Sequence, residues 1–202
     1  GSGVEVTPLG EGWSAKQIEP GIIYYAFNGT DEITQKHQEV FAVDIDLSNT
    51  AYKVKYVYES PRLTTSAAFK KQGNAIAAIN ANYEPGSIFF RIDGSDKYTL
   101  QNSTIGTTGV PNWKSEAAFA VTDERSVEFL WASSQKKGEK TVDQQRAYYS
   151  SLSTTAYPSF MSSAPMLINN FVKVGETFCD YTIDTSKLNS EDPDKHQRTL
   201  HP

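Results

Sequence analysis

The chain has 202 residues, 38% of them hydrophobic and 12% aromatic, with a formal net charge of −5. That length suits one ordinary domain with a single core, and the acidic balance argues against nonspecific nucleic-acid binding, which needs a basic surface. No apolar run approaches the roughly eighteen residues that a membrane-spanning helix requires.

Gly1-Ser2-Gly3 reads as a cloning scar, and residues 1 to 20 as a polar, weakly patterned, extended lead-in. Gly21 to Phe27 (GIIYYAF) predicts a strand. Val40 to Leu47 alternates cleanly, with Phe41, Val43, Ile45 and Leu47 on one face and Ala42, Asp44 and Asp46 on the other. After a turn at Leu47-Ser48-Asn49-Thr50, Tyr52 to Tyr58 returns with Tyr52, Val54, Tyr56 and Tyr58 inward and Lys53 and Lys55 outward. The expectation is a β-hairpin with opposite charges across it. Thr64 to Gln72 predicts a short helix with a Thr cap and Gly73 as its stop.

Ala75 to Ile79 (AIAAI) is wholly apolar, the pattern of a strand buried on both faces, so Ile76 and Ile79 are expected in the core of a central strand. Asn80 to Gly86 is a polar loop of turn formers. Ser87 to Ile92 is a second strand, closed by Asp93-Gly94. Ala117 to Val121 and Val127 to Trp131 form a hairpin over the turn Thr122 to Ser126. Ser133 to Lys140 is a solvated loop and Thr141 to Tyr148 a helix. Met166 to Ile168 and Phe171 to Val174 flank an Asn169-Asn170 turn. Many strands and few short helices in nonalternating order indicate an α+β fold, a mostly antiparallel and strongly twisted sheet.

The loop after Ala75 to Ile79 carries Asn80 and Asn82, whose amides donate and accept in the way a sugar hydroxyl or phosphate oxygen needs. Asn is also common at strand ends for purely local reasons. His37, His196 and His201 have no metal-ligand spacing, and no metal or other cofactor is expected. Asp44 and Asp46 have the look of a glycosidase carboxylate pair, but their place on an exposed hairpin face opposite lysines favours a solvated role. The run Glu191 to His196 reads as a surface loop, and Cys179 as a buried structural thiol. Asn28-Gly29-Thr30 and Asn102-Ser103-Thr104 are glycosylation sequons, of consequence only in a source that glycosylates.

Four segments, in order, carry a resemblance: AAINANYE (Ala77 to Glu84), AAFAVTDERSVEF (Ala117 to Phe129), SAPMLINNFVKV (Ser163 to Val174) and the tail HQRTLHP (His196 to Pro202). Together they resemble the phosphodiester glycosidase family over roughly residues 35 to 202. Asn80 falls on the family's signature asparagine, while Ala81 and Asn82 replace its two glycines and Tyr83 stands for an aromatic. The resemblance implies a hydrolase, acting outside the cytoplasm, that cuts a sugar from a phosphodiester. It also implies that residues 21 to 202 are the N-terminal portion of a domain, incomplete at its C-terminal end, with the remainder of that domain as a partner.

The phosphate needs a hydrogen-bond cradle, and Arg supplies the best clamp through its planar fork. If His196-Gln197-Arg198-Thr199 is the family's histidine–arginine motif, Arg198 is that clamp and Thr199 lies beside the substrate. If His201-Pro202 opens the motif, as the spelling Leu200-His201-Pro202 favours, the clamp follows Pro202. By resemblance the catalytic set is Asn80, Arg198 and His201, with Asn82, Tyr83 and Thr199 binding substrate. The alternative is a noncatalytic carbohydrate-binding module on the same fold, in which the departures at Ala81 and Asn82 have removed activity.

Overall fold

A computed structural model of the chain describes residues 4–32, 35–81, 85–101, 115–132, 140–163, 168–169 and 172–173. Its contacts divide the chain into two compact units, Gly1–Lys53 and Val54–Pro202. Both are built on antiparallel sheets, and the fold is α+β with sheet dominant, as the sequence pattern predicts.

The first unit is a four-stranded meander, β1 (Val4–Glu5), β2 (Trp13–Glu19), β3 (Ile22–Thr30) and β4 (His37–Ile45), in that spatial order. The stretch expected as a lead-in therefore contains a seven-residue strand, β2. Trp13 lies directly opposite Phe27, their rings 5.3 Å apart. The Phe27 ring lies over Gly12, where φ is +81° and an added Cβ would come within 2.7 Å of the ring. Only glycine meets both demands there.

Phe41, Val43 and Ile45 do share a face of β4, opposite Ala26, Tyr24 and Ile22 of β3. The expected hairpin between Val40–Leu47 and Tyr52–Tyr58 does not form: β4 pairs with β3 along nine residues instead. An antiparallel neighbour of equal length and matching alternation takes the ladder. Tyr52 turns away, buries its ring and donates its hydroxyl to the Pro20 carbonyl at 2.7 Å.

The second unit centres on a five-stranded sheet. Its strands are β5 (Phe89–Ile92), β6 (Ser95–Thr99), β7 (Ala117–Asp123), β8 (Ser126–Trp131) and β9 (Ser159–Ser163), in the order β6-β5-β9-β7-β8. Asp93 and Gly94 both have positive φ, the two-residue turn that matches strand twist. The middle strand is β9, not residues 75–79. The latter form no strand; Ile76 is 38% and Ile79 86% exposed. Three of those five residues are alanines, which offer little apolar area to bury. In β9, by contrast, Phe160 fills one face and Met161 the other.

On one face, Phe89, Leu100, Ala118, Ala120, Leu130 and Phe160 pack with Val142 and Tyr149 of the helix α2 (Val142–Ser151). Thr141 and Gln144 cap that helix reciprocally, which sets its start. The other face carries Ile88, Phe90 and Met161, with Tyr56 from residues 52–58 and Tyr98 packed against it. Tyr56 packs on Phe90 and Phe119 and donates its hydroxyl to the Phe119 carbonyl at 2.7 Å. The alternation expected for this stretch is thus real, but its inward side chains meet this sheet rather than β4.

The helix α1 (Thr65–Gln72) has the predicted Thr64 cap and the Gly73 stop, where φ is +75°. Two further short strands, β10 (Ile168–Asn169) and β11 (Val172–Lys173), pair antiparallel. No helix among the described residues is long and apolar enough to cross a membrane.

Candidate functional site

The loop singled out by sequence differs at its two ends. Upstream, residues 76–78 and the side chains of Thr65, Ser66 and Phe69 of α1 line an open hollow of about 590 Å³. The chain leaves this hollow through Ile79 and reaches Asn80, which is exposed. Asn80 is therefore offered to solvent on a segment without sheet pairing, not at the tip of a rigid strand.

Downstream, the loop ends in a 3₁₀ turn, Pro85–Ser87, whose Gly86 and Ser87 are buried. The Gly86 carbonyl accepts from the Gln101 backbone N–H at 2.8 Å. The Ser115 hydroxyl donates to the Ser87 carbonyl at 2.7 Å. Ser162 donates to the Ser115 hydroxyl at 2.9 Å and accepts from the Phe89 backbone N–H at 2.7 Å. Tyr149 donates to the Ser115 carbonyl at 2.7 Å. These buried groups form one connected, satisfied network, the kind that fixes a unique backbone position. Burial, then the neighbouring Tyr148 and Glu116, pushes the Tyr149 hydroxyl well above the ordinary tyrosine range. Nothing in the sequence marks Ser87, Ser115 or Ser162, because isolated serines follow no period; only the contact of β5, β9 and α2 makes them a set.

Arg91 is a second residue that sequence reading passed over. It is 1% exposed, beneath α2. Its Nε donates to Asp96 at 2.6 Å, its Nη1 to the Leu152 and Tyr157 carbonyls and its Nη2 to the Tyr149 carbonyl. The guanidinium lies 4.9 Å over the Phe160 ring. It neutralises the negative end of α2 and satisfies the orphan carbonyls there, a structural role.

Asp44 and Asp46 are both exposed. Asp46 accepts from the Ser48 hydroxyl at 2.6 Å and the Ser48 N–H at 3.0 Å, and these two bonds hold its carboxyl below the usual range. It is a turn residue. Among the described residues, no group of three or more His, Cys, Asp and Glu side chains is arranged to hold a metal ion. Asn82, Tyr83, Arg198, Thr199 and His201 lie outside the described residues, as do Cys179, the Glu191–His196 run, the loop over 133–139 and the sequon at Asn102. Comparison with family models, with curated proteins and with solved structures finds no match for this chain.

Proposed function

We propose that the chain is part of a hydrolase of the phosphodiester glycosidase type, acting outside the cytoplasm on a sugar joined through its anomeric carbon to a phosphodiester. The observation that carries this reading is the order of the four resembling segments, two of which are the β7–β8 hairpin and the loop that presents Asn80. An exposed amide beside a loop end locked into the core suits a group that grips a substrate hydroxyl or phosphate oxygen. The leaving phosphodiester is a weak base, so the site needs hydrogen-bond and cation support more than a strong general acid. In this reading Asn80 is a polar ligand of the reacting group, Asn82, Tyr83 and Thr199 line the substrate, and Arg198 or the arginine of a motif opened by His201 clamps the phosphate.

Hydrolysis in ¹⁸O-labelled water tests it on the whole polypeptide that carries this sequence. With a glucosyl phosphodiester, cleavage at the anomeric carbon puts the label on the sugar; label on phosphate would make the protein a phosphodiesterase and refute the reading. Asn80→Ala should lower turnover about a hundredfold, the usual size of losing one hydrogen-bond donor to the transition state. Asp44→Asn should leave it unchanged.

A noncatalytic carbohydrate-binding role is the second reading. It is favoured by β3 and β4, where Tyr24 and Phe41 present near-parallel rings 6.4 Å apart, with Phe41 67% exposed. Retention on a polysaccharide column without any turnover would select it.

A further inference from the structure

Strand β4 closes one side of the first unit's sheet, and its outer edge is bare. The Asp46 N–H donates to the Gly21 carbonyl at 2.8 Å. Bonded residues alternate in an antiparallel ladder, so Asp44, Ala42 and Val40 turn their N–H and C=O groups toward β3. Phe41, Val43 and Ile45 turn theirs outward, where they meet no hydrogen-bond partner among the described residues. All of the strand but Ile45 is exposed. The other outer strands are blunted. β1 has two residues, and β6, which carries Lys97, and β8 each meet their neighbour across an irregular register. β4 runs nine residues in unbroken register with β3 and contains no Pro, Gly or Lys. Such an edge is a template for one more strand.

Charge says which strand fits. Residues 1–53 hold eight acids against three lysines and no arginine, whereas residues 54–202 hold sixteen of each sign, so the whole net charge of −5 lies in this unit. The acids of β4 are Glu39 and Asp44, five positions apart and therefore on opposite faces. Neither pairs with a lysine or arginine among the described residues. Glu39 accepts from the Asn28 amide at 3.3 Å and lies 3.9 Å from His37, the remaining titratable residue of the strand. Between the two acids run Val40, Phe41, Ala42 and Val43, apolar on both faces. A second copy of the chain would bring two such acidic units together, which opposes self-pairing.

We propose that the outer edge of β4 docks an extended, basic segment of a partner protein, which joins the sheet as its fifth strand. The outward N–H and C=O groups of Phe41, Val43 and Ile45 supply the main-chain bonds. A lysine or arginine of the partner stands opposite Glu39 and another opposite Asp44, with β-branched or other apolar residues between them. The two basic residues, five positions apart, fall on opposite faces of the added strand, as the two acids do on β4. The backbone supplies affinity, and the charges supply orientation and selection against acidic strands. The site stands on its own residues and does not depend on the hydrolase reading at Asn80.

Fluorescence anisotropy on the whole chain tests it with a labelled peptide as long as β4, of alternating valine and threonine with a lysine and an arginine five positions apart. Two control peptides carry glutamate at both basic positions, or N-methyl groups on alternate backbone amides. The basic peptide is expected to bind about tenfold or more tightly than either control, and to weaken several-fold between about 50 mM and about 500 mM salt. Glu39→Gln combined with Asp44→Asn, both exposed, should weaken it about fivefold or more. Val43→Pro removes one outward N–H without touching the ladder to β3 and should weaken it by a similar factor. The proposal is overturned if the basic peptide does not bind, if either control binds as tightly, or if the charge variant binds like the parent. It is also overturned if light scattering shows a dimer that Val43→Pro dissociates, because a second copy then fills the edge. Each of these results leaves the isotope test of the hydrolase reading untouched.

Discussion

Arg91 shows how one side chain governs an element far from it in sequence. Its guanidinium is spent on the C-terminal carbonyls of α2 and on Asp96. Arg91→Ala leaves those carbonyls without their donor and empties a buried side-chain site, and about 2–5 kcal/mol of stability should be lost in urea melts. Lys71→Ala, which breaks an ion pair whose lysine side chain is 59% exposed, should cost under about 1 kcal/mol. Equal losses in the two variants would mean that Arg91 is not the buried hub described above. The tyrosines give a pH dependence. Burial raises the hydroxyls of both Tyr56 and Tyr149 above the ordinary value of about 10. A folded-state pKa above the unfolded one contributes stability that is complete below the unfolded pKa and disappears as pH rises toward the folded one. Stability should therefore fall above about pH 10. In an alkaline absorbance titration these two phenols should ionise only together with unfolding, and Tyr149→Phe should make the alkaline fall shallower. Full, reversible titration of every tyrosine with the far-ultraviolet spectrum unchanged would contradict this.

At the scale of elements, hydrophobic run and buried strand part company. Residues 75–79 read as the central strand, and on that reading Ile79→Ala would open a cavity costing about 2–5 kcal/mol. With Ile79 86% exposed, the expected cost is instead under about 0.5 kcal/mol. Phe160→Ala, in the strand that does occupy the centre, should cost about 3–5 kcal/mol. Denaturant midpoints of the two variants separate the two arrangements, and a larger loss at Ile79 than at Phe160 would restore the sequence reading. Elements with local signals fared better. The Thr64 cap, the Gly73 stop, the Asp93-Gly94 turn and the β7–β8 hairpin are all set by residues within a few positions of one another, and all lie where expected.

For the whole molecule, sheet order sets the hierarchy of stability. Strand β9 is hydrogen-bonded on both sides, to β5 and β7, and packed on both faces. Strand β4 pairs on one side only and has exposed Val40, Phe41 and Val43. Native-state hydrogen exchange should therefore protect the amides of β9 and β7 most, with β6 and β8 intermediate and β4 least. Greater protection in β4 than in β9 would show that the first unit, not the second, is the stable core.

The sequence by itself determined the class of the fold, most of the strands, both helices, the caps of the first of them, and the inward side of residues 54–58. These follow from period and from turn and cap chemistry, which act over a few residues. It also pointed to Asn80 as the residue to watch. Only the tertiary structure decided which strands are neighbours. Strand β9 was not legible because Ser159–Ser163 shows no alternation, both of its faces being buried. Residues 52–58 met the wrong partner on paper because period 2 records which side faces inward and not what lies there. The serine network behind the loop and the buried Arg91 each join residues dozens of positions apart. Long-range contact is chosen by the fit of whole faces competing for the same ladder, and a single residue's type carries no trace of that competition.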